Sequence, residues 1–194
     1  NDTPLGVSFF VRRKGTLTRH LSSRTMTGER TKVPTEKGWE RMKYQSTLLA
    51  VTNMERSKAF YCGLLGREVV ADFGANVTLS GGITLQTLDT WKGFLNTQKV
   101  TLPNNGGELY FETEDMDAFL PQLDRWQVQF VHRLKEHRWG QRVVRFYDPD
   151  GHIIEVAEGL EQVAKRFLSQ GMTLEQVAQR MDVPMSFLQT LDLN

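Results

Sequence analysis

A single cysteine, Cys62, stands in the 194-residue chain, so no intrachain disulfide can form. Nothing at the start has the pattern of a secretory signal, and the chain is expected to be cytoplasmic, in a reducing compartment. No apolar run approaches the roughly 18 residues that span a bilayer, which argues against an integral membrane protein. There is also no excess of one charge: 24 Lys and Arg face 23 Asp and Glu. At 39% apolar and 24% charged, the composition excludes both wholesale disorder and collagen-like order.

The balanced charge conceals an asymmetry. Residues 1–41 hold nine Lys/Arg against four Asp/Glu, so the slight overall basicity comes entirely from this stretch. It can be read as a basic arm for nucleic acid or acidic lipid. It can also be read as leader sequence: Glu36-Lys37-Gly38-Trp39-Glu40-Arg41 back-translates to a nearly all-purine run before Met42, like a bacterial ribosome-binding site. The second reading is preferred, with Met42 as the true start and only Val7–Val11 able to add as an edge strand.

From Met42 onward the pattern is regular. Lys43–Val51 reads as a strand, and Asn53 as the N-cap of a helix through Tyr61 that ends near Gly63 and Gly66. Strands follow at 68–73, 76–79 and 83–87, then a loop over 88–105. The order then repeats, with a strand at 108–113, a helix at 115–126 and strands at 128–132, 141–147 and 152–157. Strand-helix-strand-strand-strand occurring twice is a tandem duplication whose halves can bury a shared core. The expected fold class is therefore α+β, with tandem βαβββ modules at 42–87 and 107–158 and a C-terminal helical hairpin in 159–194. The hairpin has helix-turn-helix spacing, but Pro184–Asn194 carries no Lys or Arg, so nucleic acid is not an expected partner. Its apolar residues, among them Val177, Met181 and Leu188, are expected to pack on the barrel or on another subunit.

Two segments resemble a known family. Val51-Thr52-Asn53-Met54-Glu55-Arg56-Ser57-Lys58-Ala59-Phe60-Tyr61, with Leu64-Leu65-Gly66, resembles the opening of the vicinal oxygen chelate superfamily. That group includes glyoxalase I, bleomycin resistance proteins, thiol-transferring fosfomycin-resistance enzymes and extradiol dioxygenases. Phe146-Tyr147-Asp148-Pro149-Asp150-Gly151-His152-Ile153-Ile154-Glu155 resembles its closing strand pair. The resemblance implies an incomplete barrel around a cavity. It also implies one divalent metal ion held by four inward side chains, which match here Ser46, Gln86, Glu108 and Glu155. Alternation agrees for the last two. If Leu109, Phe111, Ile154 and Val156 face the helix, then Glu108, Tyr110 and Glu155 face the cavity.

Ser46 is a poor ligand where the family usually has histidine, and a set without histidine disfavours zinc and histidine-rich iron sites. Either an oxygen-ligand metal site remains, or Arg145 or Arg142 neutralises the two carboxylates. Glu155 and Glu108 are the catalytic candidates. His137, Trp139, Gln141, Arg142 and Arg145, with Tyr110 and Trp91, are candidates for binding a planar or carboxylated small molecule. His132 and His152 are expected at solvent-facing strand ends. The resemblance implies a lyase acting next to a carbonyl, like lactoylglutathione lyase, or a non-catalytic binding protein of the resistance type. It also implies a homodimer.

Overall fold

In the computed structural model, residues 42–193 are described; the leader and edge-strand readings of 1–41 lie outside them. The first module comprises β1 (Thr47–Val51), α1 (Met54–Gly63), β2 (Val69–Asp72), β3 (Asn76–Leu79) and β4 (Ile83–Thr87). Asn53 caps α1, its side chain accepting from the Arg56 N–H at 2.9 Å. The segment after β4, expected as a loop, begins instead as a helix, α2 (Leu88–Leu95). The second module comprises β5 (Glu108–Thr113), α3 (Met116–Arg125), β6 (Phe130–Glu136), β7 (Arg142–Tyr147) and β8 (Ile153–Glu158). Asp115 caps α3 just as Asn53 caps α1. Strand β6 runs to Glu136 rather than ending at His132. Its outer half, Arg133-Leu134-Lys135-Glu136, is charged and exposed because it forms a sheet edge, where charge deters pairing with other chains.

Each module makes one four-stranded sheet, ordered β1-β4-β3-β2 and β5-β8-β7-β6. The first and last strands of each module pair in parallel and the others antiparallel. The sheets are open and do not close into a barrel. One apolar core joins them: Val51, Phe60, Val77, Leu79 and Leu85 of the first module pack with Met116, Leu123, Val144, Phe146 and Ile154 of the second. The Phe60 ring meets Trp126 and Phe146 edge-on, at 6.2 and 6.4 Å between centroids. Cys62 packs against this core.

The modules are also clasped by polar groups. Asp150, in the tight β7–β8 turn, is buried and accepts from the Thr52 N–H at 2.9 Å and the Ser57 hydroxyl at 3.0 Å. Arg56 Nη2 lies 3.3 Å from the same carboxylate. Asp148 accepts from Tyr61 Oη at 2.8 Å and from the Asp150 and His152 N–H groups at 2.9 and 2.8 Å. His152 Nδ1 lies 2.9 Å from Asp148, so this histidine belongs to the clasp and is largely buried, contrary to the solvent-facing position expected of it. Burial pulls the His152 pKa down, but the hydrogen bond and charge of Asp148 outweigh it and leave it raised. The turn that carries the family resemblance thus ties the second module to the start of α1.

After β8 come α4 (Leu160–Ser169), α5 (Leu174–Met181) and α6 (Met185–Leu188). Thr173 and Gln176 form a capping box at the start of α5. Val177, Met181 and Leu188 are buried as expected, but against Val163, Ala164 and Phe167 of α4, in a cluster separate from the barrel core. Among the described residues no helix is long and apolar enough to cross a membrane.

Candidate functional site

The side chains on the open face of the second sheet follow from the core. Leu109 and Phe111, Val144 and Phe146, and Ile154 and Val156 all turn to the apolar side. The period of two then places Glu108, Tyr110 and Glu112 of β5, Arg145 of β7 and Glu155 of β8 on the other side. Register sets Tyr110, Glu155 and Arg145 in one row across the three strands.

Glu155 stands in the middle of this row, and Arg145 makes most of its polar contacts. Arg145 Nε and Nη2 donate to the two oxygens of Glu108 at 2.8 and 3.3 Å, a bidentate pair. Nη2 also contacts Glu155, whose side chain is 7% exposed and whose Oε2 has no other partner. His132 Nδ1 faces the Arg133 carbonyl at 2.9 Å, so it carries the proton, and Nε2 accepts from Arg145 Nη1 at 3.2 Å. Of the two arginines that could compensate the carboxylates, Arg145 does so. Arg142 is held elsewhere, by Glu158 at 3.1 Å and Asp117 at 2.9 Å.

Beside this row stands an aromatic group from the β6–β7 loop. The His137 and Trp139 rings stack at 4.3 Å and 17°. Trp139 Nε1–H donates to Gln141 Oε1 at 3.1 Å, Gln141 Nε2–H to Tyr110 Oη at 3.3 Å, and Tyr110 Oη–H to Glu112 at 2.8 Å. Gln141 is anchored from below by the Glu158 carbonyl at 2.9 Å. Burial, then the Glu112 carboxylate, raises the Tyr110 pKa; burial, then the Arg145 charge, lowers that of His137. Both are therefore neutral near pH 7. The face carries three carboxylates (Glu108, Glu112 and Glu155) against Arg145 and Lys135, the latter opposite Val143, with Tyr110 half-exposed on the edge strand β5.

The other sequence candidates lie in the first module. Gln86 is buried on β4, and its amide is engaged by Asn76 at 2.7 Å, the Ala75 carbonyl at 2.8 Å and Thr90. Ser46 accepts from Thr84 at 2.9 Å, two residues before Gln86. Trp91 is half-buried on α2. The structure thus brings together Glu108, Glu155 and Arg145, and separately Tyr110, His137, Trp139 and Gln141. Gln86 makes none of its hydrogen bonds to either group. His132 and Glu112 had no signal in a single sequence, since neither sits in a motif and only the register shows their neighbours.

The divalent metal implied by the resemblance does not fit this donor set. A cation already lies between the two carboxylates, the amide oxygen of Gln86 is satisfied by Asn76, and Ser46 offers only a hydroxyl. Among the described residues no group of three or more His, Cys, Asp or Glu side chains is placed to hold a metal ion.

Comparison with known proteins agrees with this architecture. The profile of a family described as glyoxalase-like domain matches residues 44–161. No curated protein matches the chain. Among solved structures, a protein of unknown function from Agrobacterium tumefaciens str. C58 is 34% identical with a TM-score of 0.57, covering 62% of this chain and 97% of its own. A glyoxalase-related enzyme from Fulvimarina pelagi is 20% identical with a TM-score of 0.52, over 61% and 89% of the two chains. The fosfomycin resistance protein FosX from Listeria monocytogenes is 17% identical with a TM-score of 0.50, over 64% and 99%. The last two show likeness of fold alone. With paired βαβββ modules and a family profile spanning more than half its length, the chain belongs to the glyoxalase-like domain family of the vicinal oxygen chelate superfamily.

Proposed function

We propose that this protein binds a small planar molecule, neutral or cationic, on the open face of its second sheet, and does so without a metal ion. The observation that carries the reading is Arg145, whose guanidinium lies where an ion shared by Glu108 and Glu155 would sit. The stacked His137–Trp139 pair and half-exposed Tyr110 offer aromatic surface, and Gln141 and Glu112 offer polar partners at its edge. A carboxylated ligand is disfavoured, because Arg142 and Arg145 are both committed to carboxylates of the protein. A lyase step next to a carbonyl requires a carboxylate free to take a proton, and Glu108 and Glu155 are both ion-paired. The non-catalytic, resistance-type binder is therefore the better-supported of the two functions implied by the family. The single cysteine suits a cytoplasmic setting, and the open face suits a homodimer in which a second copy covers it.

The test is purification without chelator, followed by metal analysis, turnover assays on hemithioacetals with added divalent ions, and titration with the planar cation proflavine. The expected result is metal far below one ion per chain, no turnover, and proflavine binding that is lost in Trp139→Ala. One bound ion per chain with turnover overturns the reading.

A further inference from the structure

The family profile ends at residue 161, yet the chain continues through α4, α5 and α6. These helices do more than cover a sheet end: beside Glu158 of β8, their polar contacts reach Glu136 at the end of β6 and the loop that carries His137 and Trp139. Arg166 Nη2 donates to the Gly140 carbonyl at 2.5 Å, and its Nη1 lies 3.7 Å from Glu136. Arg180 Nη2 donates to Glu136 Oε1 at 2.9 Å, and its Nη1 contacts the Arg138 carbonyl. Arg138 in turn reaches Asp182 at 3.4 Å.

Packing agrees with the polar contacts. Gly140 has φ +89°, and a Cβ there would fall 2.2 Å from the Phe167 ring, so the loop backbone is seated directly on α4. The guanidinium groups of Arg166 and Arg180 lie 4.9 and 5.1 Å from the centroid of that same ring. Arg166 also pairs with buried Glu158 at 2.9 Å, and the Glu158 carbonyl is what anchors Gln141. The loop's own hydrogen bonds are few: the His137 N–H to the Gln141 carbonyl at 2.9 Å, the Gly140 N–H to the His137 carbonyl at 2.8 Å, and the Trp139 indole N–H to the Gln141 side chain at 3.1 Å. A turn with two backbone bonds of its own depends for its conformation on what it rests on.

We propose that α4 and α5 position the ligand face: Arg166 and Arg180, with Phe167, fix the β6–β7 loop so that His137, Trp139 and Gln141 stand beside Tyr110. Arg166 and Arg180 are positioning residues, acting through Glu136, Arg138 and Gly140. The inference rests on the binding reading for its purpose, and its test does not depend on a ligand.

Arg180 is a third exposed and Glu136 more so, and neither is a member of the apolar clusters, although Arg180→Ala also takes the guanidinium off the Phe167 ring. The readouts are the Trp139 indole N–H resonance, assigned with Trp139→Phe, and amide exchange at His137 and Gly140. Each of Arg180→Ala and Glu136→Gln is expected to shift the Trp139 signal and to speed exchange at these two amides about tenfold, with β1–β4 and the Trp91 and Trp126 signals unchanged. The double variant should shift them further than either single one, because each single variant leaves a loop contact that the other removes: Arg180 also reaches the Arg138 carbonyl, and Glu136 also lies near Arg166. Proflavine affinity should fall in parallel. If proflavine does not bind the wild-type chain while the Trp139 signal still responds, the positioning stands and the planar-ligand reading fails. An unchanged Trp139 signal and unchanged exchange in both variants overturn the inference.

Discussion

Replacing Asp150 by alanine should be among the most damaging single changes in the chain, although it touches neither the core nor the ligand face. Its carboxylate, 1% exposed, receives the Thr52 N–H, the Thr52 and Ser57 hydroxyls and Arg56. Ser57 is fully buried, so its hydroxyl cannot turn to water once the acceptor is gone. A buried donor left without a partner costs about 1–3 kcal/mol, and two or three are orphaned here, which gives about 3–5 kcal/mol. With a urea m-value of about 2 kcal/mol/M, the midpoint should fall by about 2 M at unchanged m. Asp150→Asn keeps one accepting oxygen for Thr52 and lets Ser57 accept from the new amide, so its loss should be about 1–2 kcal/mol. Equilibrium urea unfolding of the three proteins decides the matter. A loss below about 1 kcal/mol for Asp150→Ala would show that the clasp adds nothing and that the apolar core alone joins the modules.

Further outcomes follow from the same contacts. His152 has a raised pKa, so its stabilisation is complete below its ordinary value of 6.5 and is lost as pH rises through the raised one. The wild-type chain should therefore lose stability relative to His152→Gln as pH rises above the ordinary histidine value of 6.5. Asp148, with its pKa lowered by the His152 bond against the effect of burial, stays ionised throughout that rise. Arg145→Ala leaves Glu155 buried without its cation and should cost about 2–3 kcal/mol, less than for a fully buried pair because Arg145 is a quarter exposed; adding Glu155→Gln should recover part of the loss. Light scattering at micromolar concentration should give the mass of a dimer; a monomer would remove the second copy from the proposed site.

Much of the architecture is legible in the sequence because its signals are local. Asn53 and Asp115 sit at matching distances before apolar-periodic segments, and both cap helices. The strands 76–79, 83–87 and 108–113 coincide with those expected. Helix α2 is missed because Gly93 interrupts a short segment that buries no residue fully, leaving little periodicity to detect. The end of β6 is missed because an edge strand carries charge in place of apolar alternation.

At the site, the sequence leaves open which of Arg142 and Arg145 meets the carboxylates, and the choice depends on parity. Arg145 is one residue from core residues Val144 and Phe146 and so faces away from them, whereas Arg142 stands at the strand's start beside Glu158 and Asp117. The role of Asp148 and Asp150 is not legible locally, since their partners Tyr61, Thr52 and Ser57 lie almost a hundred positions away. The same holds for the contact of Arg180 with Glu136, which only the docking of α5 brings about.

In the proposed binding site, Arg145 holds the place of a metal between Glu108 and Glu155. Calorimetric titration of Mn²⁺, Ni²⁺ and Zn²⁺ into the wild-type chain tests it most directly. No saturable binding is expected in the wild-type chain. Saturable one-to-one binding in the micromolar range, abolished by Glu155→Gln, would contradict it.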